Sequence, residues 1–274
     1  MEAPTKISAS VLLLVVLILG IGWASAITSD EGAADSTTAE VTVITVCDNY
    51  RHDPNLETGW GFSCLVEADG MKLLFDTGAE GSLLLKNMEK LGTDPKEIDA
   101  VVLSHAHADH TGGLDDFLKA NSNLKVYLPR SFPDSFKKKV ESSEAEVVEV
   151  SDSMSICERV STTGELGTSI KEQSLIVKTS KGLVVITGCA HPGILDILRH
   201  AKKITGENIY LVLGGFHLLD SSEAQLEQVI KGFRELGVQK VAPCHCSGDR
   251  TRELFQREYG EDFIANGVGK TIQF

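Results

Sequence analysis

Ala100-Val101-Val102-Leu103-Ser104-His105-Ala106-His107-Ala108-Asp109-His110-Thr111-Gly112-Gly113 is the stretch on which the reading of this chain turns. An apolar run typical of a buried strand hands over to three imidazoles and a carboxylate within six positions. Neutral imidazole and carboxylate are the usual ligands of zinc and of other first-row metals. Such a density of them directly behind a buried strand is not surface decoration. His105 and His107 can reach one ion, while Asp109 and His110 turn toward a second. Thr111-Gly112-Gly113 then lets the backbone turn tightly into a helix.

Four further strands end in the same manner. KLLFD ends at Asp76-Thr77-Gly78, GLVVIT at Gly188-Cys189-Ala190-His191, IYLVL at Gly214-Gly215-Phe216-His217, and VQKVAP at Cys244-His245-Cys246. Sites in layered α/β folds gather where strand C-termini allow loops to converge. From Val41 onward the sequence predicts strands at 41–46, 62–68, 72–76, 100–104, 124–128, 146–150, 173–179, 182–187, 209–213 and 238–243. Helices are predicted at 82–92, 113–121, 132–142, 193–204, 221–237 and 248–260. The fifth helix opens with a capping pattern, Ser221 or Ser222 ahead of Glu223 and Gln225, and stops at Gly237. Strands clustered first and then alternating with helices fit an α/β (α+β) architecture of two packed sheets with helices outside, a four-layer αββα sandwich, over residues 41–274.

The N-terminus has a different composition. Lys6 precedes an uncharged apolar stretch ending near Ala24-Ser25-Ala26, a small-x-small pattern that a signal peptidase accepts. Residues 1–29 therefore read as a signal peptide or an N-terminal membrane anchor, and residues 30–40 as a flexible acidic spacer. The expected location is extracytoplasmic or membrane-anchored, with membrane contact only through that segment. A net charge of -13 argues against a nucleic-acid partner. It leaves room for a small anionic or phosphorylated substrate, because bound cations reverse the field locally. The cysteines are scattered, and Cys47, Cys64 and Cys157 are expected as buried free thiols.

LFDTG, SHAHADHTGG, GCAHPGI, GGFHL and PCHCSG together resemble the metallo-β-lactamase superfamily. They are most similar to its branch of 7,8-dihydropterin-6-methyl-4-(β-D-ribofuranosyl)aminobenzene-5'-phosphate synthase-like proteins, and the likeness runs from about Val41 to the C-terminus. The resemblance implies two divalent metal ions, zinc being expected and iron or manganese admitted by the same donors. His105 and His107 would serve the first ion, and Asp109, His110 and His245 the second. Asp109 and Asp76 are the candidate catalytic carboxylates, with Asp76 orienting a ligand or the bound water.

The chain departs from the family pattern in two places. It lacks the usual histidine between His110 and His191, so His191 is assigned as the replacement ligand of the first ion. Cys189 stands where a bridging aspartate is expected, as either a bridging thiolate or a neutral residue lining the site. His217 is read as a substrate or phosphate contact, or as a structural histidine. His52, His200, Arg250, Arg252 and Lys137 to Lys139 are read as surface residues. The implied activity is metal-dependent hydrolysis or a synthase-like transfer. Iron-based redox chemistry on the same fold and a non-catalytic extracytoplasmic metal- or ligand-binding module are the alternatives.

Overall fold

The computed structural model describes residues 41–274. The signal or anchor reading of residues 1–29 and the spacer at 30–40 lie outside the described residues. Among the described residues, no helix is long and apolar enough to cross a membrane.

Among the described residues, thirteen strands form two sheets. The first contains β1 (Thr42–Cys47), β2 (Ser63–Ala68), β3 (Met71–Phe75), β4 (Ala100–Val102), β5 (Lys125–Pro129), β6 (Glu146–Val150) and β13 (Thr271–Gln273), in the order β13-β1-β2-β3-β4-β5-β6. The second contains β7 (Asp152–Ser155), β8 (Val160–Gly164), β9 (Leu175–Thr179), β10 (Gly182–Thr187), β11 (Ile209–Gly215) and β12 (Lys240–Cys244), in the order β12-β11-β10-β9-β8-β7. The strands that feed the histidine-bearing loops pair in parallel with one another: β3 with β4 in one sheet, and β10 with β11 and β11 with β12 in the other.

Alternation along each strand produces the layers. In β3, Leu73 and Phe75 face the space between the sheets, while Leu74 points outward. In β10, Val184 and Ile186 face inward, and Leu183 and Val185 outward. Both faces are buried, which is why these strands read as continuous apolar runs. The outer face of the first sheet is covered by α1 (Gly81–Lys90), α3 (Leu114–Ala120) and α4 (Asp134–Glu141), through residues such as Leu84, Phe117 and Val140. The second is covered by α5 (Ile194–Thr205), α6 (Glu223–Glu235) and α7 (Asp249–Tyr259), through Ile197, Phe233 and Phe255. The protein is the αββα sandwich that the strand and helix pattern predicts.

The differences from the sequence reading are local. β7, β8 and β13 were not expected. They are polar or short, and they exist because a neighbouring strand offers its backbone to pair with. The short helix α2 (Ala108–Thr111) lies inside the histidine motif itself, so two helical segments follow β4 rather than one. The capping box of α6 uses Ser222 and Gln225. Cys47 and Cys64 are buried free thiols, but Cys157 is only half-buried, because β7 and β8 form an edge hairpin. His200 is not simply solvated: its ring Nε2 lies 3.1 Å from the carbonyl of Thr163. Arg252 donates to the carbonyls of Pro243 and Asn266 and stacks over Tyr50, so it is a structural residue, whereas Arg250 pairs with Glu223 and Glu253 on the surface.

Candidate metal centre

Five strand ends converge at one edge of the sandwich, and the backbone is bent there to turn side chains inward. Asp76, Ala190, His217 and His245 all adopt positive φ, at 55°, 65°, 54° and 49°. Non-glycine residues avoid this region, and each such turn costs about 1–3 kcal/mol, which the surrounding structure must hold in place. Gly188 has a different constraint. A Cβ there would overlap the Ser104 hydroxyl and stand 3.0 Å from Asp76 Oδ2, so only glycine lets β10 run against the Asp76 side chain.

The ligand-type atoms fall into two groups. His105, His107 and His191 bring three imidazoles together, and Asp109, His110, Cys189 and His245 form the second set; within each set the donor atoms lie within 4.8 Å of one another. The rings of His105 and His110, one from each set, are 4.3 Å apart between centroids, so the sets adjoin. All the predicted ligands are therefore brought together. Cys189 joins the second set with its Sγ 3.1 Å from His110 Nε2. His217 is exposed at the rim, its ring 4.3 Å from that of His191. His52 is exposed and belongs to neither set.

Hydrogen bonds select which ring nitrogen is presented. Asp76 is fully buried behind the site and accepts from the Ser104 backbone N–H at 2.6 Å and the Ser104 hydroxyl at 2.7 Å. Its Oδ2 also lies 2.7 Å from His110 Nδ1. A carboxylate accepts only, so His110 Nδ1 carries the proton and Nε2 faces the second set. Having donated to Asp76, the Ser104 hydroxyl is free to accept from His105 Nδ1 at 2.9 Å. This leaves His105 Nε2 to face the first set. Asp76 is thus a positioning residue, acting through His110 and Ser104.

Three further residues complete the frame, and sequence reasoning missed all of them. Glu172 is buried, and its two oxygens accept from three successive backbone N–H groups: Cys189 at 2.9 Å, Ala190 at 2.8 Å and His191 at 2.8 Å. Asp48 Oδ1 accepts from the backbone N–H of His245 at 3.2 Å and of Tyr50 at 3.1 Å, and so braces the bent backbone that carries His245. Trp60, half exposed, donates its indole N–H to Asp109 Oδ2 at 3.0 Å, and its ring lies 5.0 Å from that of His245. Trp60 sits in the 51–61 loop that flanks the site. That position was the one available signal.

The electrostatics suit cation binding. Burial, then the neighbouring His110, His191 and His107, holds His105 far below the ordinary histidine range. Burial and the adjoining histidines likewise bring His191 down to about 4. Both rings are neutral and keep a lone pair. Burial pushes Asp109 up, but His245 and His110, at 3.4 and 3.7 Å from its Oδ2, outweigh burial and keep it ionised. Burial opposes charge on His110, yet Asp76 and Asp109 raise its pKa, so an ion that takes Nε2 must displace a held proton. Cys246 and burial push the Cys189 thiol up, so ligation by Cys189 requires loss of a held proton. His191 Nε2 and His245 Nε2 are buried with no hydrogen-bond partner among the described residues. Buried polar atoms are rarely left so. His245 Nδ1 is equally unpartnered, so each of the two adjoining donor sets holds at least one free buried imidazole nitrogen, which fits two divalent ions.

Comparison with known proteins gives the family. The family model of the metallo-β-lactamase superfamily matches residues 61–203. A 7,8-dihydropterin-6-methyl-4-(β-D-ribofuranosyl)-aminobenzene-5'-phosphate synthase of Methanocaldococcus jannaschii is 32% identical over 263 residues, covering 79% of this chain and 90% of the relative. A crystal structure of a metal-dependent hydrolase of the β-lactamase superfamily superposes with a TM-score of 0.73 at 31% identity, covering 85% of this chain and 99% of that one. A metallo-β-lactamase fold protein from Bacillus subtilis, at 15% identity, shares the fold with a TM-score of 0.67 over 86% of this chain and 100% of that one. The signature motif, the two-sheet architecture and these likenesses agree: the chain belongs to the metallo-β-lactamase superfamily.

Proposed function

We propose that this protein is a dinuclear-metal hydrolase acting on a small anionic substrate, with zinc as the expected metal. The observation that carries the reading is the pair of adjoining donor sets, each containing a buried imidazole nitrogen without a partner. His105, His107 and His191 would hold the first ion, and Asp109, His110, His245 and Cys189 the second. When bound, such ions supply Lewis-acid stabilisation of negative charge on a substrate oxygen.

The chain's own residues supply the rest. Asp109 remains ionised, and Trp60 fixes its Oδ2, which leaves Oδ1 to orient an attacking water by accepting its hydrogen bond. Asp76 and Ser104 keep His110 and His105 in the tautomers described above. Glu172 holds the backbone that carries Cys189 and His191. His107 and His217 are exposed, which gives water a route to the first set and favours hydrolysis over a reaction that must exclude water. Beside them lies a cavity of about 320 Å³, lined by His191, His217, Ile194, Phe216, Val229 and Arg199 among others. Its apolar wall suits the body of a small molecule. Arg199 and His217 can meet an anionic group, such as a phosphate.

A synthase-like transfer is the second reading, favoured by the 32% identity to the Methanocaldococcus jannaschii relative across most of both chains. Extracytoplasmic delivery through residues 1–29 is part of the first reading, because a phosphorylated biosynthetic intermediate would not be met outside the cell.

Elemental analysis of the purified full chain tests the centre. Wild type is expected to hold two ions, and His107→Ala and His245→Ala are each expected to lose about one. His200→Ala, whose ring nitrogen faces the Thr163 carbonyl, should lose none. Equal loss in all three variants would overturn the ligand assignment. Turnover of a chromogenic phosphodiester beside the pterin and ribosylaminobenzene substrates then separates hydrolysis from transfer.

A further inference from the structure

Neither the two-metal centre nor its supporting residues use Cys246, and nothing in that centre requires His217 to sit in a strained backbone conformation. Yet the thiols of Cys189 and Cys246 and a ring nitrogen of His217 all lie within 4.8 Å of one another. We propose that Cys189, His217 and Cys246 form a third cation site, for a soft or borderline ion such as Zn2+ or Cu+, at the rim of the centre. The proposal extends the dinuclear reading and rests on it only through the shared residue Cys189.

Three features show that this cluster is built rather than incidental. The two thiols are buried, at 4% and 6% exposure, while His217 lies at the surface, so the site has a closed floor and an open mouth. The loops that carry the donors are tied together. Leu218 N–H and Leu219 N–H both donate to the Cys246 carbonyl at 3.2 Å, and the Cys246 thiol donates to the Cys189 carbonyl at 3.6 Å. Finally, the space for the Cys246 sulfur depends on Gly215. A Cβ there would stand 2.4 Å from the Gly188 carbonyl oxygen, 2.7 Å from that sulfur and 3.2 Å from His245 Cδ2, so glycine serves both the strand pairing and the sulfur.

The donor chemistry then selects the ligand. Two thiolates and an imidazole favour zinc or cuprous ion over calcium or magnesium, which take oxygen ligands. Zinc–sulfur and zinc–nitrogen bonds of about 2.3 and 2.0–2.1 Å are within reach of donors grouped this closely. The thiols release their protons on binding. Three protein ligands leave a fourth position open. His217 also lines the cavity beside His191, so an ion held by this cluster would put positive charge next to that cavity, where His217 is expected to meet an anion.

Metal stoichiometry and thiol reactivity of the full chain test the site without reference to turnover. Co2+ titration is expected to saturate at three ions per chain in wild type. Cys246→Ser and His217→Ala should each saturate at two, and Cys246→Ser should lose part of the thiolate-to-cobalt charge-transfer absorption. Loading with Zn2+ should slow alkylation of Cys246 at least tenfold relative to the metal-free protein. His217 is exposed, so its variant tests the site even if Cys246→Ser fails to fold. Saturation at two ions, unchanged in both variants, overturns the third site and leaves the dinuclear reading standing. Recovery of Cys189 and Cys246 as a disulfide in the native protein also overturns it. An ion lost in His217→Ala but retained in His107→Ala and His245→Ala supports the third site even if the dinuclear centre fails its own test.

Discussion

Replacing Glu172 by glutamine tests how the ligand-bearing loop is held. The carboxylate offers two oxygens to three backbone N–H groups: Oε1 takes Cys189 and Ala190, and Oε2 takes His191. In Glu172→Gln the amide oxygen can keep the first two, but an NH2 group then faces the His191 N–H, donor against donor. Above pH 7, where Glu172 is ionised, one buried donor loses its partner, at about 1–3 kcal/mol, and two charge-assisted bonds become neutral, together costing about 1–2 kcal/mol more. The sum is about 3 kcal/mol. It falls on the segment that positions His191 and that holds Ala190 in its positive-φ conformation. For a domain of this size, about 3 kcal/mol lowers the melting temperature of the metal-free protein by roughly 6–12 °C. Loosening of the His191 backbone should also weaken the first metal set by 10- to 100-fold, the usual effect of losing a group that orients a ligand. Thermal denaturation of metal-free protein and chelator competition with Zn2+ measure the two effects separately. Wild-type melting and wild-type affinity in Glu172→Gln would refute the claim that this carboxylate organises the loop.

The same carboxylate gives a pH prediction. Burial pushes Glu172 up from 4.5 to about 7 in the folded, metal-free protein. The native state therefore keeps a proton that the unfolded chain has released, so this contribution to stability is fully present below pH 4.5 and is lost as pH rises through 7. The loss is on the order of 3 kcal/mol, and urea titrations across this window should show it in wild type but not in Glu172→Gln; parallel profiles would contradict it. Asp76→Asn keeps the shape but removes the carboxylate that accepts from His110 Nδ1 and Ser104. Affinity at the second set should fall by about 10- to 100-fold, measured by isothermal titration, and unchanged affinity would remove Asp76 from the positioning role. Trp60→Phe deletes the donor to Asp109 Oδ2. Turnover should fall several-fold with metal content unchanged, and loss of an ion instead would make Trp60 a support for ligation.

Much of the centre could be read from the chain alone, for a definite physical reason. A strand that is buried on both faces must be a continuous apolar run, so its end is visible in the sequence as the first polar residue. Asp76, His105, Cys189, His217 and His245 each stand one to a few residues beyond such a run, and the loops at strand C-termini are where the chain can gather them. The two-sheet layering follows from the same runs with helical periodicity between them. The groups that hold the ligands in place were not readable in this way. Glu172 reaches the Cys189–His191 turn from 17 to 19 residues away, and Asp48 reaches His245 across 197. Both act on backbone N–H groups, which every residue but proline possesses and which leave no mark on composition or spacing. Ser104 looks like the last residue of a strand, and only its packing against Asp76 makes it the link between two tautomers. The edge strands β7, β8 and β13 are equally silent, because an edge strand needs a partner's backbone more than it needs apolar side chains. The sequence by itself determined which atoms could bind a metal, since that is a property of side-chain chemistry. Tertiary structure decided how those atoms are grouped, which nitrogen each imidazole presents and what braces the strained turns, since these depend on contacts between segments far apart in the chain.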